Sequence, residues 1–240
     1  MTLKQGTTLQ GGKYIIKKVL GQGGFGITYL AEQEMLDRKV AIKEFFFKEY
    51  CVRNNENCIT VAIEANKVIV ERFLNKFIKE AKTISKLQHP NIIQIYDIFR
   101  ENSTAYYVME YVEGETLQDL VDRRGMLPEF EVITYAREIG KALSYIHERN
   151  INHLDIKPAN LLLRQRDNQI IIIDFGTSKG FDIEGDATTT TPVGVSHGYA
   201  PLEQYSGISY FSPESDIYSL GATTLLLTTY SPVLSAFGDV

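Results

Sequence analysis

The chain has 240 residues, 44% of them hydrophobic and 23% charged. That balance excludes disordered, collagen-like and disulfide-stapled classes and is long enough for one large domain or two small lobes. Lys and Arg number 25 against 30 Asp and Glu, a net charge of −5, so no global basic field attracts nucleic acid.

Residues 1–12 are polar and Gly-rich, unlike a secretory signal. Alternating, β-branched segments predict strands at 14–20, 27–31 and 39–45, with a glycine turn at 21–26 joining the first two. The two cysteines, Cys51 and Cys58, match neither a zinc site nor a disulfide framework. A reducing cytoplasm is the expected compartment. From Lys67 the period changes: Val70, Phe73, Phe77, Ala81, Ile84 and Leu87 place one apolar stripe on a helix that Pro90 stops. Strands at 92–99 and 105–110 follow, and Gly114 ends that pattern.

From Glu115 the chain turns helical, and Phe130, Ile133, Ala136, Ile139, Leu143 and Ile146 predict a second long helix. The apolar stretch 217–227 predicts a buried helix, too short to span a bilayer. After Lys179 there is no Lys or Arg, an acidic bias that suits basic substrates. The expected fold class is therefore α+β and bilobal: a small antiparallel sheet lobe with one long helix over about 1–110, a hinge at 110–114, and a mainly helical lobe over about 115–240. A cleft where two such lobes meet is the natural ligand site.

Four clusters carry chemistry. Gly21, Gly23 and Gly26 lie between strands, where missing side chains let backbone N–H groups approach phosphates. A strand rather than a helix follows them, which argues against a dinucleotide fold. Lys43 stands on an apolar strand, and an inward ammonium needs an anion, for which Glu80 beside the helix's apolar stripe is the best candidate. In the loop 153–160, Asp155 could accept a hydroxyl proton, Lys157 could neutralise a phosphoryl group and Asn160 could offer an oxygen to Mg²⁺, while His153 reads as a packed structural histidine. The strand 170–173 ends in Asp174, Phe175 and Gly176, placing a carboxylate suited to a second metal contact.

Taken together these pieces resemble the eukaryotic-type protein kinase family in its own order: glycine loop, the Val-Ala-Ile-Lys strand ending at Lys43, Glu80, Asp155 to Asn160, Asp174-Phe175-Gly176, Glu203 and the Asp216 helix. The likeness covers roughly 14–232 and is nearest to bacterial members. It implies a protein serine/threonine kinase using ATP and Mg²⁺, acting on Ser/Thr hydroxyls of a protein substrate, with no nucleic-acid partner and no membrane segment in this chain.

By position, the resemblance implies that Lys43 binds the α- and β-phosphates and is held by Glu80. Asp174 and Asn160 hold Mg²⁺, and Asp155 takes the substrate proton. Leu20, Thr28, Ala41 and Leu162 sandwich adenine, Met109 guards the rear, the backbone of Glu110 and Val112 bonds the base, and Glu115 reaches the ribose. Lys157 matches the serine/threonine-specific pattern. Residues 174–203 bound an activation segment, with Ser196 and Tyr199 near the acceptor and Thr188, Thr189, Thr190 and Thr191 as candidate phosphosites.

Departures set further expectations. Leu154 stands where the family often has arginine, Thr28 where it has valine, and Ala200-Pro201-Leu202-Glu203 where it has Ala-Pro-Glu. The 37 positions from Lys43 to Glu80 leave room for an inserted loop around 50–66, regulatory or merely tolerated. No Arg follows Arg166, so Glu203 is expected to lack its partner. The helical lobe is expected to lack its final helices and to expose an apolar helix face. The alternatives are a nucleotide-binding pseudokinase or scaffold and, behind it, a small-molecule phosphotransferase.

Overall fold

The computed structural model describes residues 2–175, the backbone of 179–180, and residues 196–205 and 212–230. Gly176 and the threonines at 188–191 lie outside the described residues. The chain divides into two units, Met1–Gln88 with Ile93–Tyr111, and His89–Ile92 with Val112–Val240.

The first unit is built on strands β1 (Thr8–Leu9), β2 (Tyr14–Gln22), β3 (Gly26–Gln33) and β4 (Arg38–Phe45), then the small pair β5 (Cys51–Arg53) and β6 (Ile59–Val61), helix α1 (Lys67–Ile84), and strands β7 (Ile95–Glu101) and β8 (Thr104–Glu110). The main sheet runs β1-β2-β3-β4-β8-β7, with every neighbouring pair antiparallel. Side chains alternate between its faces, and the register sorts them. Thr28, Lys43 and Tyr107 share one face with Ala41 and Met109, whereas Tyr29, Ile42, Glu44 and Tyr106 share the other.

Helix α1 packs on the first face, where the Phe77 ring lies 4.9 Å from that of Tyr107 and 5.7 Å from that of Phe45. The N-terminal arm and the β5–β6 hairpin reach the second face, through Leu3 on Tyr29 and Arg53 on Glu44. Covered on both sides, β8 is buried from Thr104 to Met109.

Three expectations are corrected here. The segment 50–66 is a hairpin rather than a loop: the Asn54 carboxamide accepts the N–H groups of Glu56 and Cys58, and Asn57 takes the left-handed conformation at φ 66°, which closes the turn. Helix α1 stops at Ile84, well before Pro90, because the N–H groups of Lys86 and Leu87 bond back three residues in tight turns. Strand β7 begins at Ile95 rather than at 92, because Asn91 and Ile92 pair instead with β12 of the second unit.

The second unit holds β9 (Gly114–Thr116), α2 (Leu117–Arg124), α3 (Glu129–His147), β10 (Ile151–Asn152), β11 (Leu161–Arg164), β12 (Ile170–Ile172), β13 (Lys179–Gly180), α4 (Leu202–Tyr205) and α5 (Pro213–Thr229). Chain direction thus turns helical only at Leu117, where Thr116 and Asp119 form a reciprocal capping box. Sheet order is β12-β11-β9. Gly114 is required for it, since a Cβ there would stand 2.1 Å from the Leu163 carbonyl oxygen.

Helix α3 packs against α5. Its buried face runs through Val132, Tyr135, Ile139, Ala142, Leu143 and Ile146, while Phe130 and Ile133, expected in the core, are 70% and 42% exposed. Both stripes satisfy the helical period, and packing chose between them. Part of the apolar stretch on α5 is also outward: Ile217, Tyr218 and Leu225 are exposed, and a groove of about 460 Å³ lined by Ile133, Ala136 and Leu225 lies between the two helices. Glu203, expected without a partner, accepts the Ser215 hydroxyl at 2.7 Å. Among the described residues no helix is long and apolar enough to cross a membrane.

Candidate active site

Each unit carries its own part of the expected site. In the first, the turn between β2 and β3 is closed by the Gly23 N–H on the Gly26 carbonyl at 2.9 Å. Gly26 is needed for close approach, because a Cβ there would lie 2.9 Å from the Glu44 carbonyl oxygen. A Cβ on Gly21, Gly23 or Gly24 would meet nothing within 4 Å. Glycine at those three positions therefore leaves the outer side of the turn bare for an approaching anion.

Lys43 is half-buried, with its ammonium 5.8 Å from the Tyr107 ring centroid. Phe77 stacks on that same ring, and Glu80 follows one helical turn later. Tyr107 thus gathers Lys43 and the turn of α1 that carries Glu80 around one aromatic ring. Ala41 and Met109 are paired neighbours and buried, Thr28 is opposite Lys43, and Leu20 is 42% exposed in a β-bulge of β2. The Glu110 N–H is committed to the Gln94 carbonyl, so a bond from its backbone to a base would use its carbonyl oxygen.

The second unit holds the residues expected to act on the hydroxyl. Asp216, fully buried on α5, accepts the backbone N–H groups of His153 (2.8 Å) and Leu154 (2.7 Å) and contacts His147 Nε2 at 2.8 Å. Leu154 has φ 65°, a left-handed conformation that a leucine rarely adopts. The Asp216 carboxylate is what holds it there. His153 is packed against Phe175, as its structural reading required, and its Nδ1 accepts the Asp155 N–H at 3.2 Å. Burial pushes the His153 pKa down, which keeps the ring neutral and Nδ1 an acceptor.

Oδ1 of Asp155 accepts the Ser196 hydroxyl at 2.6 Å, and Oδ2 accepts Asn160 Nδ2 at 2.8 Å and lies 2.9 Å from the Lys157 ammonium. Lys157 also donates to the Ser196 oxygen at 2.7 Å, closing a triangle of acid, cation and hydroxyl. The Asn160 amide nitrogen additionally bonds the Asp155 carbonyl at 2.8 Å. Its orientation is therefore fixed with Oδ1 turned away from Asp155, as a metal ligand must be. The Ile173 N–H bonds the Asn160 carbonyl at 3.1 Å, which sets Asp174, one residue on, beside it. A carboxylate and an amide oxygen on adjoining strand ends are a hard-oxygen donor set that fits Mg²⁺. Val112 is buried, and Leu162 lies between Thr116 and Ile171 in the three-stranded sheet.

Two polar groups that anchor this structure lacked an expectation. His147 was detectable as a polar residue four positions after Leu143 on the buried stripe of α3, where a core ring needs a partner. Glu44 was detectable as a charge in alternation with Val40 and Ile42, but nothing local identified what neutralises it.

Comparison with known proteins supplies the remaining evidence. The family model described as "Protein kinase domain" matches residues 14–238. The chain is 36% identical over 218 residues to "Serine/threonine-protein kinase PrkC" of Bacillus subtilis, covering 91% of this chain and 30% of that protein. It is 30% identical over 224 residues to "Serine/threonine-protein kinase PknB" of Mycobacterium leprae, covering 92% of this chain and 33% of that protein. Among solved structures, "PpkA-294 apo form" superposes with a TM-score of 0.84 at 29% identity, covering 96% of this chain and 80% of that one. The chain thus spans about a third of the length of the curated relatives it matches.

Proposed function

We propose, since the chain belongs to the protein kinase domain family and its curated relatives are serine/threonine-protein kinases, that it transfers the γ-phosphate of ATP to Ser or Thr hydroxyls of a protein substrate. The observation that carries the reading is the Asp155 carboxylate, which already accepts a serine hydroxyl beside the Lys157 ammonium.

Asp155 orients the acceptor hydroxyl and takes its proton as the oxygen bonds to the γ-phosphorus. The bond from that phosphorus to the β–γ bridging oxygen breaks, and ADP leaves. Lys157 offsets negative charge on the transferred group. Lys43, held by Glu80, binds the α- and β-phosphates under the turn of Gly21, Gly23 and Gly26. Leu20, Thr28, Ala41 and Leu162 enclose adenine, with Met109 behind it and the backbone of Glu110 and Val112 bonding the base. Asn160 and Asp174 would hold Mg²⁺, which when bound neutralises phosphate charge. ATP and free thiols both suit the cytoplasm, which we propose as the site of reaction.

The test is transfer of label from γ-labelled ATP, with Mg²⁺, to a basic Ser/Thr-containing protein, followed by phosphoamino-acid analysis. Phosphoserine or phosphothreonine is expected, with activity reduced at least about 10³-fold in Asp155→Asn and Asp174→Ala. Nucleotide binding by a folded wild-type chain without any transfer would instead identify a pseudokinase.

A further inference from the structure

Residues 46–66 take part in none of the steps above, yet they meet the phosphate-binding turn at close range. Phe47 is 6% exposed. Its ring centroid lies 4.6 Å from that of Phe25 at the tip of the turn, 5.1 Å from that of Phe73 on α1, and 4.5 Å from that of Tyr50. Phe25 and Phe73 stack on each other at 5.3 Å, closing a triangle of rings in the tilted, edge-on and stacked geometries that aromatic quadrupoles favour. Backbone bonds reinforce it: the Phe46 N–H reaches the Phe25 carbonyl at 3.1 Å and the Lys48 N–H reaches the Gly24 carbonyl at 3.0 Å.

Phe47 is in turn placed from behind. Its carbonyl accepts the N–H groups of Tyr50 (3.0 Å) and Cys51 (2.8 Å), which leads the chain into β5. Two residues on, Arg53 pairs with Glu44 at 2.5 Å, both side chains almost fully buried. The Ile59 N–H on β6 bonds the Asn102 carbonyl at 2.8 Å. The hairpin is thus rooted on the sheet face opposite α1, while the rings ahead of it touch the turn and α1 together. Glycines alone give a turn no side chains with which to hold a position, and Phe25 is its one ring.

We infer that Phe47 is a positioning residue for nucleotide binding: wedged against both the glycine turn and α1, it makes the two move as one body, so that the 46–66 segment sets where the turn stands over the phosphates. The inference rests on the reading that this turn receives the phosphates of ATP. Phe47 touches no reacting atom and acts only through Phe25 and Phe73.

Two measurements on the full chain test it: hydrogen exchange by mass spectrometry over residues 22–26, 46–48 and 70–80, and the dissociation constant of a fluorescent ATP analogue with Mg²⁺. Phe47→Ala is expected to speed exchange in all three segments together and to weaken nucleotide binding about tenfold. Phe47→Leu, which refills most of the volume, restores at least half of both effects. Phe99→Ala, which removes a ring stacked on Tyr14 and Tyr106 away from the turn, lowers the melting temperature comparably and moves neither readout. Unchanged exchange at 22–26 in Phe47→Ala overturns the inference, as does a Phe99→Ala variant that reproduces both effects. If the wild type binds no nucleotide, the functional reading fails first, and the exchange data alone decide whether turn and helix are coupled.

Discussion

Among the described residues, each unit of the chain buries one carboxylate completely, and the two are satisfied in different ways. Glu44 in the first unit accepts from the Tyr29 hydroxyl at 2.8 Å, the Tyr106 hydroxyl at 2.5 Å and the Arg53 guanidinium at 2.5 Å. Asp216 in the second accepts from two backbone N–H groups and contacts one imidazole. Burial, with the charge of Glu44 second, pushes the pKa of both tyrosines well up, so they remain donors across the physiological range. The contrast lies in what can be removed. Every partner of Glu44 is a side chain, so the set can be exchanged for apolar groups as a whole. Two partners of Asp216 are peptide N–H groups that no substitution short of proline deletes, and one of them belongs to the strained Leu154.

The largest effect therefore belongs to Asp216→Ala. Losing this acceptor leaves buried N–H groups without it, at about 1–3 kcal/mol each, so a loss of about 3–5 kcal/mol by urea unfolding is expected, with the proposed phosphotransfer abolished as the 153–155 backbone relaxes. A variant that keeps near-normal stability and activity would erase the contrast. Next comes Arg53→Met, which leaves Glu44 charged and unpaired by its cation in the interior. Breaking a buried pair from one side costs about 3–5 kcal/mol, and the lower end is expected here because two phenols still donate.

The sharper measurement is the double variant Glu44→Gln with Arg53→Met. It should recover to within about 1 kcal/mol of wild type, whereas no second substitution should rescue Asp216→Ala. The smallest effect is a pH slope. The buried His153 has its pKa lowered by desolvation, so the unfolded chain binds a proton that the folded chain does not. Stability is then flat above the unfolded histidine value of about 6.5 and falls as pH drops below it. Melting curves from pH 7.5 to 5.5 should show this slope, and His153→Gln should remove its share.

Part of the proposed site was readable in the sequence because the residue types that phosphoryl transfer would need stand at close spacing. Asp155, Lys157 and Asn160 occupy six positions of one loop, and their mutual bonds follow from that proximity. Gly26 and Gly114 were visible as glycines, but the backbone contacts that require them appear only when β4 and β11 are in place. The insertion was the least readable part. Its hairpin depends on an asparagine turn rather than on alternation, and its Arg53 has no apolar pattern to mark it as buried. Ser196 was expected near the acceptor, yet its bond to Asp155 across 41 positions belongs to no local signal.

Strand alternation, helical period and the order of glycine, lysine, aspartate and asparagine motifs are local properties, and the amino-acid sequence by itself determined them: an antiparallel sheet with one long helix, a helical remainder and the residues proposed for phosphotransfer. Tertiary packing decided which of two acceptable stripes α3 buries, that both faces of the first sheet are covered, and which donors meet Glu44 and Asp216. The physical reason is range. A period of two or 3.6 residues states that a face is apolar, but the burial that turns a carboxylate into an anchor depends on segments tens of positions away arriving to exclude water.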